Sequence, residues 1–189
     1  MIDWSRVGTV FLDMDGTLLD LNYDNHFWLE HVPRRYAEKH GVEEQHARQD
    51  LTARYRSRAG TLEWYSVDFW SDERVALVTN AHHKSLALKM SRTGLEAHFD
   101  ALITSHKLGL PKERAEFWQA LQAVEPFDPG ATLLVDDSLP VLHAAQAYGI
   151  AHLVAVYQPD TRQPRKDVEP FQAIESFLDI MPRPMDQKC

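Results

Sequence analysis

Apolar residues in this chain gather into short unbroken runs, and each of the first four stops at small or acidic polar residues. Thr9-Val10-Phe11-Leu12 ends in Asp13-Met14-Asp15-Gly16-Thr17, and Val75-Ala76-Leu77-Val78 ends in Thr79-Asn80. Ala101-Leu102-Ile103 ends in Thr104-Ser105, Thr132-Leu133-Leu134-Val135 ends in Asp136-Asp137-Ser138, and a fifth run is Leu153-Val154-Ala155-Val156. The runs do not alternate apolar with polar, which predicts strands of a parallel sheet covered on both faces. Between them the spacing turns helical: Leu86, Met90 and Thr93 are closed by Gly94, and Phe117, Leu121 and Val124 end near Pro126. Leu139 to Tyr148 reads as a helix with Gly149 as its C-cap, and Val168 to Ile180 as a last helix with Pro170 near its start. Alternating strands and helices predict an α/β fold.

Residues from about 22 to 72 break this pattern. They hold no strand-like run and are rich in aromatics (Tyr23, Phe27, Trp28, Tyr36, Trp64, Trp70) and arginines (Arg34, Arg35, Arg48, Arg54). The segment is expected to form two or three helices inserted between the first two strands, the first closed by Gly41. Its rings have two readings, a helix core or a lid facing a substrate. Gln158 to Asp167, polar and holding Pro159 and Pro164, reads as a surface loop.

Composition narrows the function classes. The chain has 189 residues, with 28 Asp and Glu against 20 Lys and Arg, for a formal charge of -8. That balance disfavours a nucleic-acid polymer or an anionic membrane as partner. The single cysteine, Cys189, excludes an intrachain disulfide and a cysteine-rich metal site, and a reducing cytoplasm is the expected location. No run approaches the ~18 apolar residues of a membrane span.

In an open α/β sheet, reactive groups lie beyond the carboxyl ends of the strands. Here those ends carry Asp13 and Asp15, then Thr79 and Asn80, then Ser105 with Lys107 or Lys112 beyond it, then Asp136 and Asp137. Four carboxylates at one rim repel one another unless a cation sits among them, and a hard divalent ion with oxygen ligands, Mg²⁺, fits that set. Thr79, Asn80 and a lysine add donors and positive charge suited to phosphoryl oxygens.

These motifs, in this order, resemble the four motifs of the haloacid dehalogenase-like (HAD) phosphatase superfamily. More narrowly, Asp15-Gly16-Thr17-Leu18-Leu19-Asp20-Leu21, Asp24-Asn25, Phe27-Trp28 and Asn80-Ala81-His82 resemble the bacterial GMP/IMP 5'-nucleotidase group. The resemblance implies a Rossmann-like core over residues 1–20 and 74–189 with a small helical cap over 21–73. It implies Asp13 as nucleophile, Asp15 as general acid and then base, and Thr79, Asn80 and Lys112 as substrate-binding residues. Mg²⁺ would be held by the carboxylates of Asp13 and Asp136 and the backbone carbonyl of Asp15, with Asp137 as a further ligand or in support. The expected substrate is a small phosphomonoester, best a purine nucleoside 5'-monophosphate. Phosphoglycolate, a sugar phosphate, or a non-enzymatic phosphoaspartate receiver or binding module are the alternatives.

Several assignments have plainer readings. His82 and His83, adjacent in a first helical turn, point in different directions and read as surface histidines. Asp20, Asp24 and Asn25 read as caps of the first inserted helix.

Two features depart from the family pattern. Pro111 precedes Lys112, whereas the usual order puts the lysine first, and Lys107 lies close enough to compete. Only Ser71-Asp72-Glu73-Arg74 separates the aromatic segment ending at Trp70 from the next strand, where relatives place part of the cap and a core helix. Loss of that helix would uncover one face of the sheet.

Overall fold

Six strands lie parallel in the order β3-β2-β1-β4-β5-β6. They are β1 (Thr9–Leu12), β2 (Arg74–Thr79), β3 (Ala101–Thr104), β4 (Thr132–Asp136), β5 (His152–Val156) and β6 (Gln172–Ile174). Among the described residues, β2 to β5 are linked through α1 (His83–Thr93), α2 (Ser105–Leu108), α3 (Ala115–Val124) and α4 (Leu139–Tyr148). This computed structural model describes residues 2–22, 26, 30, 33, 34, 37, 41–49 and 74–180.

Period-two alternation within each unbroken run divides the core between the two faces. Phe11, Ala76, Val78, Leu134 and Ala155 share one cluster with Phe117, Trp118 and Leu121 of α3 and Val141, Leu142 and Ala145 of α4. Val10, Leu12, Leu133, Val135, Val154 and Val156 point the other way and pack with Ile174 and Ile180, with Trp4, Phe99 and Phe177 against them. Leu86 and Met90 of α1 close over Leu77 and Met14. Gly94, in the left-handed conformation, terminates α1, and Gly149 terminates α4.

The helix expected over Val168 to Ile180 does not form. Instead Gln172–Ile174 adds β6 in parallel to β5, followed by a 3-10 turn at Phe177–Asp179. Sheet chemistry overrides the helical spacing here: β6 covers an otherwise open edge, and the Tyr157 N–H donates to the Ile174 carbonyl at 3.0 Å. Ala173 and Ile174 then pack toward opposite faces. Leu178, which a helix would bury, is 77% exposed.

Within the segment expected to be a cap, residues 44–49 are helical. His26 pairs with Glu30 at 3.1 Å and Arg48 with Glu44 at 2.6 Å, both at the i,i+4 spacing of a helix face. Tyr23, Asp24, Asn25, Phe27, Trp28, Arg35, Tyr36, Arg54, Trp64, Trp70 and the junction Ser71-Asp72-Glu73 lie outside the described residues.

Candidate active site

β1 ends where its carboxylate must sit. The Asp13 N–H still donates to the Val135 carbonyl at 2.9 Å, so Asp13 is fixed to the sheet while its side chain stands beyond the last core residue. The chain then turns sharply, the Met14 carbonyl accepting from Thr17, Leu18 and Leu19 at 3.1, 2.8 and 2.9 Å. Gly16 takes φ +84°, and a Cβ there would stand 2.7 Å from Pro159 Cβ and 2.8 Å from Asp137 Cγ. Only glycine permits both the backbone angle and so close an approach.

Lys112 reaches this point from the loop between α2 and α3. Its Nζ donates to Asp13 Oδ1 at 2.6 Å, Asp136 Oδ2 at 2.7 Å and the Val78 carbonyl at 2.8 Å. All three protons of the ammonium are thus placed. Burial alone would depress the Lys112 pKa, but the Asp13 and Asp136 carboxylates more than reverse this and hold it above the ordinary lysine value. Lys107, the competing lysine, is exposed on α2.

Asp13, Asp136 and Asp137 each bring one carboxylate oxygen within 4.8 Å of the others. One buried ammonium cannot neutralise three carboxylates. Burial raises the Asp136 pKa well above the ordinary value against the pull of Lys112, and the Asp13 and Asp137 charges add to the rise. Asp137 is raised by burial and by Asp13, with Lys166 opposing. An all-oxygen, over-negative donor set of this kind suits a hard divalent cation. Among the described residues no second grouping of this type occurs.

Two lysines that the sequence reading passed over approach the same carboxylates. Lys89 Nζ of α1 lies 2.5 Å from Asp15 Oδ1, and Lys166 Nζ lies 2.8 Å from Asp137 Oδ2. Lys89 stands one position before Met90 and three after Leu86, beside the buried stripe of its helix, and that placement is the signal that could have found it. Lys166 sits in the loop after β5, which no periodicity describes. That loop is more than a surface connection. It also ties the root of the first turn, the Pro159 carbonyl accepting from Leu21 at 2.9 Å and Asp20 accepting from the Thr161 N–H at 3.2 Å. Asp20 accepts from the Asn22 N–H as well, at 2.8 Å.

Thr79, buried at the end of β2, accepts from the Ala81 N–H at 3.3 Å through Oγ1, which leaves its hydroxyl proton for another acceptor. Asn80 is engaged at both ends of its amide. Its Oδ1 accepts from the Lys112 N–H at 2.7 Å and its Nδ2 donates to Glu113 Oε2 at 2.7 Å. His82 caps α1, its Nδ1 accepting from Lys84 at 3.3 Å. Its ring lies 4.0 Å from that of His83 and 5.0 Å from that of His106. Arg34, from the expected cap, is exposed.

Comparison with known proteins fits this geometry. The chain is 33% identical over 215 residues to the GMP/IMP nucleotidase YrfG of Escherichia coli, covering 96% of this chain and 97% of that protein. The Shigella flexneri protein of the same name matches to the same extent. The alignment is longer than the 189 residues of this chain, so those relatives carry residues with no counterpart here. In solved structures, a HAD phosphatase from Thermococcus onnurineus superposes with a TM-score of 0.73 at 18% identity, covering 92% of this chain and 96% of that one. The HAD-hydrolase YfnB from Bacillus subtilis, bound to magnesium, gives 0.61 at 15% identity, covering 93% and 97%. No family model matches the chain. Among the described residues no helix is long and apolar enough to cross a membrane.

Proposed function

The chain belongs to the HAD phosphatase family, close to the GMP/IMP nucleotidases, and from that premise we propose that it is a Mg²⁺-dependent phosphomonoesterase acting through an aspartyl phosphate at Asp13, with purine nucleoside 5'-monophosphates as substrates. The observation that carries this reading is the convergence of Asp13, Asp136 and Asp137 around the Lys112 ammonium at the carboxyl ends of β1 and β4.

Asp13, held by its backbone to β4, attacks phosphorus in line. The ester bond to the leaving oxygen breaks, and Asp15, two residues on and across the Gly16 turn, supplies the proton that oxygen needs. Asp15 then takes a proton from the water that attacks the phosphoaspartate, releasing phosphate and restoring Asp13. Lys112 keeps its charge throughout and offsets that of the transferring group, and the Thr79 hydroxyl donates to a phosphoryl oxygen. Mg²⁺ would be held by the carboxylates of Asp13, Asp136 and Asp137 and the Asp15 carbonyl, and when bound it supplies Lewis-acid stabilisation of phosphoryl charge. The core handles only the phosphoryl group common to every substrate; choice of base falls to the cap over residues 21–73.

Initial rates on GMP, IMP, AMP, phosphoglycolate, a sugar phosphate and p-nitrophenyl phosphate, with Mg²⁺ and with EDTA, test the proposal. Highest kcat/KM on GMP or IMP and no turnover in EDTA are expected. Preference for phosphoglycolate or a sugar phosphate would overturn the substrate, and full activity in EDTA would overturn the metal.

A further inference from the structure

Lys112 follows a proline, the reverse of the usual family order, yet its ammonium arrives between Asp13 and Asp136 with all three protons placed. Something must therefore fix its backbone. Its N–H donates to Asn80 Oδ1 at 2.7 Å, and its carbonyl accepts from Trp118 Nε1 at 3.0 Å. Trp118 is wholly buried in α3 and Asn80 is 2% exposed, so both anchors belong to the rigid core.

The Asn80 amide in turn has one orientation that works. The Lys112 N–H can only donate and the Glu113 carboxylate accepts, so Oδ1 must face Lys112 and Nδ2 must face Glu113. Without Glu113 only the Lys112 N–H holds the amide in this orientation, and turned over it would present N–H to N–H. Because the proline precedes the lysine, the next position is open to a side chain that can reach back to β2; the usual order would place proline there.

We infer that Asn80 and Glu113 form a clasp that sets the position of Lys112, and that the Asn80 side chain acts through Lys112 instead of binding the phosphoryl group, an assignment that rests on the phosphatase reading for what Lys112 does. Asn80 and Glu113 are positioning residues. The clasp joins the end of β2, which carries Thr79, to the loop that carries Lys112, so two phosphoryl contacts are set relative to each other by two hydrogen bonds.

Glu113→Ala, Glu113→Gln and Asn80→Ala, each made alone and in a Lys112→Ala background, test this with kcat and KM on p-nitrophenyl phosphate and with exchange of the residue 112 amide. Misplacement of a catalytic group by ~1 Å costs about 100-fold, so Glu113→Ala and Asn80→Ala should lower kcat by about 10- to 100-fold. Glu113→Gln, which keeps an acceptor oxygen, should restore most of it. In the Lys112→Ala background neither alanine change should lower kcat further, and a loss that persists there would mean direct substrate contact or a purely structural role, overturning the inference. The residue 112 amide should be protected in the parent and in Glu113→Gln and should exchange faster in Glu113→Ala. Unchanged exchange in Glu113→Ala would refute the clasp. Should the parent chain hydrolyse no phosphomonoester, the functional reading fails while amide exchange still decides the clasp.

Discussion

Replacing Lys112 by methionine removes an ammonium and keeps a chain of similar reach. The Lys112 side chain is 2% exposed, and those of Asp13 and Asp136 are 8% and 1% exposed, so water cannot take over the lost contacts. Removing one partner of a buried ion pair costs about 3–5 kcal/mol, because the remaining charge is left uncompensated. At roughly 2–4 °C per kcal/mol for a chain of this length, Tm at neutral pH should fall by about 6–20 °C. The pH dependence identifies the cause. Stripped of the ammonium, the carboxylate pocket takes up a proton in the folded state and not in the unfolded one. Stability of the variant must then fall as pH rises, while at acid pH the deficit shrinks. Melts of parent and Lys112→Met in EDTA, at about pH 4.5, just above the ordinary carboxylate values, and at about pH 7.5, well above them, measure the two deficits. Equal deficits at both pH values would refute the electrostatic argument. Lys107→Ala, at an exposed position, should stay within about 0.5 kcal/mol of the parent. On activity, loss of a fixed donor at the phosphoryl site should lower kcat by about 100- to 1,000-fold in Lys112→Met, and a larger loss in Lys107→Ala would reassign the lysine.

Other outcomes follow from the same geometry. Asp136 and Asp137 have raised pKa values, so between the ordinary and the raised value the folded, metal-free protein holds more protons than the unfolded chain, and its stability should decline as pH rises through that window. Mg²⁺ should reverse the decline at neutral pH, and a Tm indifferent to Mg²⁺ would count against the carboxylate site. Gly16→Ala, strained by φ +84° and blocked by Pro159 and Asp137, should lose about 2–5 kcal/mol in a denaturant melt; a neutral effect would show that the turn can relax. Tyr23→Ala, Phe27→Ala, Trp28→Ala and Arg34→Ala should lower kcat/KM on GMP or IMP and spare p-nitrophenyl phosphate, since stacking a base on an aromatic ring is worth ~1–3 kcal/mol. Equal losses on both substrates would assign those residues to folding or cap closure.

The parallel sheet was readable because unbroken runs such as Leu133-Leu134-Val135 have no other use in a chain of this polarity, and the carboxylate rim because each run stops at its acidic or hydroxyl residue. The last segment was misread. Val168 to Ile180 has a spacing compatible with a helix, and only the open edge of β5, a feature distant in sequence, decides that Gln172–Ile174 is a strand. Lys89, Lys166 and Glu113 are hard to find for a related reason. Each meets its partner across a long sequence separation, Lys89 and Asp15 being 74 positions apart, and of the three only Lys89 carries a local sign, its place beside the Leu86 and Met90 stripe. Asn80 is legible as a polar residue at a strand end, but its hydrogen bond to Glu113, 33 positions on, is not.

The central claim is that Asp13 forms an acyl phosphate, and borohydride trapping tests it most directly. Enzyme turning over GMP or p-nitrophenyl phosphate with Mg²⁺ is quenched into borohydride, which reduces an aspartyl phosphate to homoserine and leaves a free carboxylate alone. Mass spectrometry of the peptide holding residue 13 should then show homoserine at that position, dependent on substrate and absent from Asp13→Asn, which should also lack turnover. Homoserine at another aspartate, or phosphate release by Asp13→Asn at a rate near that of the parent, would contradict the account.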